Sequence, residues 1–466
     1  MSNVHSQIQL KNAVISDAQI AELMELLRIP SISADPARAD DVRAAAHWLV
    51  ELFRSAGADA EIVERAGRPI VDATIRANRR CDAPLALCYG HFDVQSPAPL
   101  ELWESDPFAP EVRDGWLYAR GVADDKGQLW ALARAALDLA GAGELAVDVR
   151  FLLDCEEEVG GTSIIGYLEE TAGSACVCVI FDTAMLDDTT PVLTIATRGT
   201  LYLHLQVRTG ERDLHSGAYG GAALNALHVL VDVLARVLPR HGRLPDLLQS
   251  GVVQPDAAEL AEWDGLPGGD GQLAAQGAVP ADAGARREFY LRTWGLPSID
   301  VNGIEGGSPV LQRTIVTSAA RANLSMRLAP GQTVEELLPV IRAELTRDLP
   351  AGVQLDVAHV ASCDPGRTPP DAQAIGLAAG AVERATGMRP LVLRSGGSLP
   401  IMPLLERLGI PAVVTGFDVP SGNVHAPNER MRLSNLGLAL ATARELFQAF
   451  GDLNGCGGSR SAADLG

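Results

Sequence analysis

Positive charge is scarce in this chain. The 466 residues include 38 Lys and Arg against 59 Asp and Glu, which gives a formal net charge of -21 at pH 7. Binding to nucleic acid depends on clustered Lys and Arg that neutralise phosphates, and anionic membranes attract the same residues. We therefore expect neither nucleic acid nor a membrane as a partner.

Long apolar runs and cysteines are also few. No stretch approaches the roughly 20 apolar residues of a membrane-spanning helix, and the N-terminus lacks the basic start and apolar run of a secretory signal. The seven cysteines show no zinc-finger spacing. Cys176 and Cys178 lie two apart in an apolar run, which favours buried structural thiols. These features predict a cytoplasmic protein.

What is present indicates a folded protein with an α/β catalytic domain. The hydrophobic content is 47% with a mean hydropathy of +0.10, and the length favours two domains. Short apolar runs, typical of strands covered on both faces, alternate with helical patterns in the first part. The predicted strands are residues 84–89, 147–153 and 176–181, and the predicted helices are residues 17–28, 38–56, 126–140 and 163–170.

The pattern changes from Gly199 onward. Residues 201–207 and 320–328 alternate apolar and polar side chains, as half-exposed antiparallel strands do. A helix is predicted at 222–238, loops and short helices at 240–300, and a disordered tail at 454–466.

These patterns define the predicted fold class. We expect an α/β catalytic domain with a mixed, mostly parallel sheet covered by helices, interrupted by a smaller α+β domain. The predicted boundaries are residues 1–198 and 362–466 for the catalytic domain and 199–361 for the inserted domain.

Acidic and imidazole side chains follow several of the predicted strands. They are His91 and Asp93, Asp124 and Asp125, the glutamates at 156–158, Asp182 and, far downstream, His425. Each feature alone is more often a surface pair, a helix cap or a solvated face. Because ligands of open α/β sheets bind beyond the carboxyl ends of the strands, these residues are expected to converge.

The residue types suit a pair of divalent metal ions. Two imidazoles with three or four carboxylates fit zinc, with manganese or cobalt as alternatives. One shared carboxylate can hold two ions that activate a bridging water and polarise a carbonyl. A further carboxylate is then needed to carry a proton from water to the leaving amine.

Several runs of residues, in order along the chain, resemble one metallopeptidase family. It is the family of carnosinase, Cys-Gly dipeptidase, carboxypeptidase G and succinyl-diaminopimelate desuccinylase, and the dipeptidase branch is the most similar. The matching runs are YGHFDVQ at 89–95, the run from Trp103 through LYARGVADDKG at 117–127, EEEVG at 156–160, DLHSG at 213–217, GIEGG at 303–307, SMRLAP at 325–330, GGSLP at 396–400 and HAPNE at 425–429.

The resemblance implies a role for each residue of the metal centre. His91 and Asp182 would hold one metal ion, and Glu158 and His425 the other. Asp124 would bridge both ions, with a cis bond to Asp125. Asp93 would orient His91, and Glu157 would act as general base and then general acid.

The resemblance also implies roles for the inserted domain as a lid and dimerisation domain. His215 would stabilise the oxyanion in the partner subunit of a homodimer, although a histidine that caps a glycine-rich turn is the simpler interpretation. Arg327 would bind the substrate carboxylate, with a surface ion pair as the alternative. Gly396, Gly397 and Ser398 would approach the substrate through backbone N–H groups.

Ser395 departs from the pattern, because the dipeptidase branch often has Glu before Gly-Gly-Ser. Three functions therefore stay open. The first is a dipeptidase that cleaves dipeptides or similar small peptides. The second is an N-acyl-amino-acid amidohydrolase, and the third is a catalytically silent metal or peptide binder.

Overall fold

The computed structural model describes residues 15–78 and 82–454. The chain divides into two compact units. The first unit contains Met1–Ile195, Thr368–Val392 and Leu404–Gly466, and the second contains Ala196–Arg367 and Leu393–Pro403.

The segment up to residue 197 alternates helices and strands. Its elements are α1 (Asp17–Leu27), α2 (Ala39–Ser55), β1 (Asp59–Arg65), β2 (Arg68–Ile75), β3 (Leu85–His91), β4 (Glu111–Arg113), β5 (Trp116–Tyr118), α3 (Lys126–Gly141), β6 (Asp148–Asp154), α4 (Ser163–Thr171), β7 (Ala175–Phe181) and β8 (Val192–Thr197).

The remaining elements follow in two groups. Those up to residue 367 are β9 (Gly199–Arg208), β10 (Leu214–His215), α5 (Ser216–Tyr219), α6 (Ala226–Leu234), α7 (Ala257–Asp264), α8 (Gly269–Ala275), β11 (Ser298–Glu305), β12 (Ile315–Val316), β13 (Ala319–Leu328), α9 (Val334–Thr346), β14 (Gln354–Cys363) and β15 (Gly366–Arg367). Those after it are α10 (Gln373–Thr386), β16 (Leu391–Arg394), α11 (Met402–Leu408), β17 (Ala412–Thr415), β18 (Arg430–Arg432) and α12 (Leu433–Ala449).

The main sheet of the first unit is mixed. Its strands run in the order β1-β2-β6-β3-β7-β17-β8. The central pairs β3–β6, β3–β7 and β7–β17 are parallel, whereas β1–β2, β2–β6 and β17–β8 are antiparallel. The mixed sheet that the sequence predicts is confirmed, and its parallel part is confined to the centre.

The parallel pairing at the centre of the sheet goes with continuous burial of the central strands. Strands β3, β6 and β7 are buried along almost their whole length because helices cover the sheet. Helices α3 and α12 pack against each other, and nearly every residue of α3 is buried. A densely packed apolar layer therefore lies under the ends of these strands.

The second unit has its own four-stranded antiparallel sheet, in the order β11-β13-β9-β14. Residues of β9 alternate between buried and exposed positions, and β13 shows a similar pattern. The buried side chains of these strands form a separate apolar core with those of helices α6 and α9. The period-two pattern of the sequence thus identifies both central strands of this sheet.

Local capping fixes several element boundaries. Ser16 accepts the backbone N–H of Gln19 and forms a capping box at the start of α1, as the sequence predicts. Helix α6 begins later than the predicted 222–238 because Asn225 is its N-cap, and it ends earlier, at Leu234. The tail predicted to be disordered lies, from residue 455, outside the described residues.

Two other sequence predictions concern cysteines and membranes. Cys176 is disulfide-bonded, so the prediction of a thiol there is wrong. Cys178 is a buried free thiol, as predicted. Within residues 15–78 and 82–454, no helix combines the length and the apolar character needed to cross a membrane.

Candidate metal centre

The candidate site lies at the carboxyl ends of three adjacent strands. Strand β3 ends at His91, β6 ends at Asp154 in register with His91, and β7 leads into Asp182. Because β6, β3 and β7 are parallel neighbours, their ends meet at one edge of the sheet. This topology brings together side chains that are far apart in sequence.

Two groups of potential metal ligands form at this edge. One consists of His91, Asp124 and Asp182, and the other of Asp124, Glu158 and His425; within each group the ligand atoms lie within 4.8 Å of one another. His91 Nε2 is 3.0 Å from Asp124 Oδ1 and 3.8 Å from Asp182 Oδ1. His425 Nε2 is 2.8 Å from Asp124 Oδ2 and 3.3 Å from Glu158 Oε2.

The arrangement of these atoms fits a pair of divalent cations. Asp124 offers a different carboxylate oxygen to each group, which is how one carboxylate bridges two ions. Glu158 Oε1 is buried without a hydrogen-bond partner, so the site has an acceptor that a cation would satisfy. Imidazole and carboxylate donors are those that zinc prefers.

The carboxylates and imidazoles of these two groups shift one another's pKa values. Burial alone would lower the pKa of His91, but hydrogen bonds to Asp124, Asp182 and Asp93 outweigh it and raise the pKa well above its usual value. Burial would raise the pKa of Asp124, but hydrogen bonds from His425 and His91 lower it. The carboxylates thus hold positive charge on the imidazoles, as they would hold cations.

Asp93 connects the two sides of the centre. His91 Nδ1 is 3.1 Å from the Asp93 carbonyl oxygen and 3.4 Å from its Oδ1. The Asp93 carboxylate also accepts the backbone N–H groups of Glu157 and Glu158, at 3.3 and 3.2 Å. The side chain therefore fixes the imidazole and the glutamate turn together.

Glu157 lies beside the ligand groups but belongs to neither. It begins a one-turn 3₁₀-helix, Glu157–Val159, which Gly160 ends with a left-handed φ of 67°. Burial raises the pKa of Glu157 to about 8. A half-buried carboxyl with a raised pKa next to potential metal ligands has the properties of a proton carrier.

The peptide bond between Asp124 and Asp125 is cis, as the resemblance implies. Asp125 is almost fully buried, and its Oδ2 accepts the backbone N–H of His91 at 3.3 Å. The two acids thus face different partners.

Comparison with known proteins identifies the family. Residues 87–449 match the peptidase family M20/M25/M40. The chain belongs to this family. Membership confirms the resemblance read from the motifs and the prediction of a peptide-bond hydrolase.

Relatives of this M20/M25/M40 peptidase extend over nearly its whole length. The cysteinylglycine-S-conjugate dipeptidase of Corynebacterium striatum is 27% identical over 92% of this chain and 95% of its own. The Cys-Gly metallodipeptidase dug1 of Schizosaccharomyces pombe is 28% identical over 90% and 92%. The human β-Ala-His dipeptidase is 24% identical over 88% and 86%.

Solved structures confirm the fold class. The metallo-carboxypeptidase Sso-CP2 of Sulfolobus solfataricus superposes with a TM-score of 0.82 at 25% identity, covering 94% of this chain and all of that one. The dipeptidase Dug1p of Saccharomyces cerevisiae superposes with a TM-score of 0.77 at 22% identity, over 94% and 96%.

One buried ion pair of the M20/M25/M40 peptidase was not singled out from the sequence. Glu429 is fully buried and accepts the backbone N–H groups of Gly121, Ala123 and Asp124. Arg120 Nη1 donates to its other oxygen at 2.6 Å. Glu429 therefore shapes the turn that presents Asp124, although only its place in the HAPNE run signalled it.

Arg327, Thr200 and Ser398 meet in the second unit. Arg327 Nη1 donates to Thr200 Oγ1 at 2.8 Å and to Ser398 Oγ at 2.9 Å. The structure thus brings two of the predicted substrate-binding residues together. Among the described residues Arg327 has no carboxylate within ion-pair distance, so the surface ion pair considered as its alternative is absent.

The loop with Gly396 and Gly397 is held by Arg198, another residue not predicted from the sequence. The backbone N–H of Arg198 donates to the Gly397 carbonyl oxygen at 2.9 Å, and Arg198 Nε donates to that of Gly396 at 3.2 Å. Arg198 Nη1 donates to the carbonyl oxygens of Arg292 and Leu296. Burial, together with the charge of nearby Arg327, lowers the pKa of Arg198 to about 10.

His215 is exposed and belongs to neither ligand group. Its Nδ1 accepts the backbone N–H of Gly217 at 3.0 Å. In the isolated chain this is the turn-capping contact that the sequence offers as the simpler interpretation.

A cavity of about 390 Å³ opens beside the metal centre within the first unit. Its walls include Asp124 and Asp182 together with Gln128, Thr183 and Asp418. This volume is at the lower end of the range of small-molecule sites. A cavity of this size can hold a small chemical group beside the two groups of potential ligands.

Proposed function

We propose that this peptidase hydrolyses the peptide bond of dipeptides or similar small peptides at a pair of divalent metal ions. The observation that carries the proposal is the sharing of Asp124, whose two oxygens face two different ligand groups. His91 and Asp182 would hold one ion, and Glu158 and His425 the other. The names of the relatives, which are dipeptidases, support the substrate class.

The donor set favours zinc, with manganese or cobalt as alternatives. When bound, such ions polarise a carbonyl and lower the pKa of a water molecule toward neutrality. Asp93 would keep His91 in its ligating tautomer through Nδ1.

Glu157 is the proposed general base. Its carboxylate would take a proton from the attacking water and return it to the nitrogen of the leaving amine. Its position next to Glu158, outside both ligand groups, leaves it free for this role.

Arg327 is the proposed partner of the substrate's terminal carboxylate. Its guanidinium is oriented by Thr200 and Ser398, and a fixed guanidinium matches a carboxylate in a bidentate pair. Gly396, Gly397 and Ser398 would contribute close backbone contacts to the same part of the substrate. His215 would stabilise the oxyanion in the partner subunit of a homodimer formed through the second unit.

A cytoplasmic location is also part of the proposal. The free thiols of Cys88, Cys155 and Cys178 agree with a reducing compartment. The disulfide of Cys176 is not what such a compartment favours, so thiol labelling of the protein in intact cells would test the location.

One observation favours a second function, hydrolysis of N-acyl amino acids. Ser395 carries no charge, and its Oγ accepts the backbone N–H of Gly397 at 3.1 Å. It therefore offers no anionic partner to a free amino group, which an N-acyl substrate does not have.

A substrate panel separates the two functions. Metal-stripped enzyme is resupplied with Zn²⁺ or Mn²⁺ and incubated with free dipeptides, N-acetyl amino acids and N-succinyl amino acids, and products are followed by mass spectrometry. Metal-dependent cleavage of free dipeptides is expected. Cleavage of only the acylated compounds would establish the deacylase instead, and cleavage of neither would contradict both functions.

A further inference from the structure

Asp418 is a buried acid that the proposed mechanism does not use. It is 5% exposed, and its Oδ1 is buried without a hydrogen-bond partner. No Lys, Arg or His in the described part of the chain lies within ion-pair distance of its carboxylate. Leaving a buried carboxylate oxygen unsatisfied costs free energy unless a ligand supplies a donor.

A second buried oxygen near Asp418 also lacks a hydrogen-bond donor. Thr183, on the wall of the same cavity, also has a buried hydroxyl oxygen without a partner. Gln128, by contrast, is satisfied, since it donates to Ala123 and Thr183 carbonyl oxygens and accepts the Phe417 N–H. Two residues that line one cavity therefore each carry a buried oxygen without a hydrogen-bond partner.

The charges around the cavity select the sign of the ligand. Asp124 and Asp182 share its wall with Asp418, so a substrate carboxylate would be repelled there. Burial, with the charges of Glu429 and Asp124, raises the pKa of Asp418 to about 7. Such an environment favours an incoming cation.

A metal ion is a poor match for Asp418. It belongs to neither group of potential ligands, and a carboxylate with one hydroxyl supplies too few donors for zinc. An ammonium group has three N–H donors that match a carboxylate and a hydroxyl.

We propose that Asp418 and Thr183 form a subsite for an ammonium group of the substrate, on the N-terminal side of the scissile bond. The inference rests on the proposed function, because Asp124 and Asp182 place the reacting carbonyl next to this cavity. It assigns the recognition of a substrate amine to Asp418, a role that uncharged Ser395 leaves open. The amine is either the α-amino group or the side-chain amine of the N-terminal residue.

Ligand binding to metal-loaded enzyme tests the subsite independently of hydrolysis. Isothermal titration calorimetry is performed with L-alaninamide, 6-aminohexanamide and N-acetyl-L-alaninamide on the wild type, Asp418→Asn and Asp188→Asn. Asp188 is the matched control, because it is an exposed acid of the same unit that pairs with Arg432 outside the cavity. Metal content and melting temperature are measured for each protein.

We expect Asp418→Asn to weaken binding of at least one amine by roughly tenfold to a hundredfold, as loss of a charged hydrogen bond does. Binding of N-acetyl-L-alaninamide and the metal content should not change, and Asp188→Asn should behave as the wild type. Loss confined to L-alaninamide identifies the α-amino group, and loss confined to 6-aminohexanamide identifies a side-chain amine. The proposal would be overturned if each amine bound Asp418→Asn as tightly as it binds the wild type. It would also be overturned if Asp418→Asn lost metal and bound all three ligands equally more weakly. Failure of the dipeptide assay alone would leave this result standing.

Discussion

At the scale of single residues, the neighbouring glutamates 157 and 158 differ in their position relative to the two groups of potential ligands. Glu158 Oε2 lies 3.3 Å from His425 Nε2 within a ligand group, whereas Glu157 lies outside both groups. The Asp93 carboxylate accepts the N–H of each glutamate. These hydrogen bonds fix the backbone of the turn, so each glutamate side chain keeps its own position relative to the ligand groups.

Glu157→Gln should therefore keep the metal content of the wild type and lose turnover. The amide has a similar shape but cannot accept the proton, and general-base catalysis contributes roughly 10²–10⁴ in rate. Metal content by mass spectrometry and kcat on a dipeptide check this. Glu156→Gln is the matched control, because the Glu156 carboxylate pairs with Arg68 and accepts the backbone N–H of Ser163. The Glu156→Gln variant should keep most of the wild-type activity. Loss of metal in Glu157→Gln would show that the ligand is Glu157.

Residue types at strand ends made much of this site predictable. His91, Asp124, Glu158, Asp182 and His425 are the types that bind divalent metals, and they stand where open sheets place ligands. Asp418 and Arg198 carry no such signal, because an isolated Asp or Arg is ordinary in sequence. Only their burial and their contacts set them apart.

At the scale of elements, the turn before α3 depends on a residue more than 300 positions away. Glu429 accepts the N–H groups of Gly121, Ala123 and Asp124 and pairs with Arg120, all in a buried environment. Buried acceptors with several donors fix backbone conformation strongly. The turn that presents the Asp124 carboxylate is therefore held in place by the segment that also carries His425.

Glu429→Gln should weaken metal binding although Glu429 is not a ligand. Its amide cannot accept all of these donors and leaves Arg120 unpaired, and loss of such supporting contacts typically costs 10–100-fold in metal affinity. Zinc affinity is measured by chelator competition at a temperature where the variant is folded. Glu383→Gln, which breaks an exposed pair with Arg389, is the control. A lower melting temperature with unchanged zinc affinity would show that Glu429 only stabilises the fold.

Elements with continuous burial were easier to predict than those whose signal is a turn. Strands β3, β6 and β7 follow from short apolar runs, whereas no strand is predicted from the sequence at β1 or β2. These two strands form a hairpin whose turn consists of Ala66 and Gly67. Both residues have a left-handed φ, 49° for Ala66 and 78° for Gly67. Ala-Gly is a weaker hairpin signal than Asn-Gly, because Ala seldom adopts that conformation.

At the scale of the whole molecule, the two units have different sources of stability. The second unit is built on an antiparallel sheet and an apolar core. The first unit has its own core but also concentrates half-buried acids, among them Asp124, Asp182 and Glu158, at one edge of its sheet. Without cations these carboxylates repel one another, so metal binding should stabilise this unit in particular.

Hydrogen–deuterium exchange with and without zinc measures this difference for each unit. A ligand that binds only the native state at about 1,000 times its Kd stabilises it by about 4 kcal/mol, which slows amide exchange where opening exposes the site. We expect metal removal to speed exchange in peptides that contain His91, Asp124, Asp182 and His425, and to leave β9 and β13 unchanged. Asp124→Asn, which lacks the shared carboxylate, should show little response to zinc. Equal protection of both units by zinc would mean that the metal stabilises the chain as one cooperative body, and no protection in either would contradict the metal centre itself.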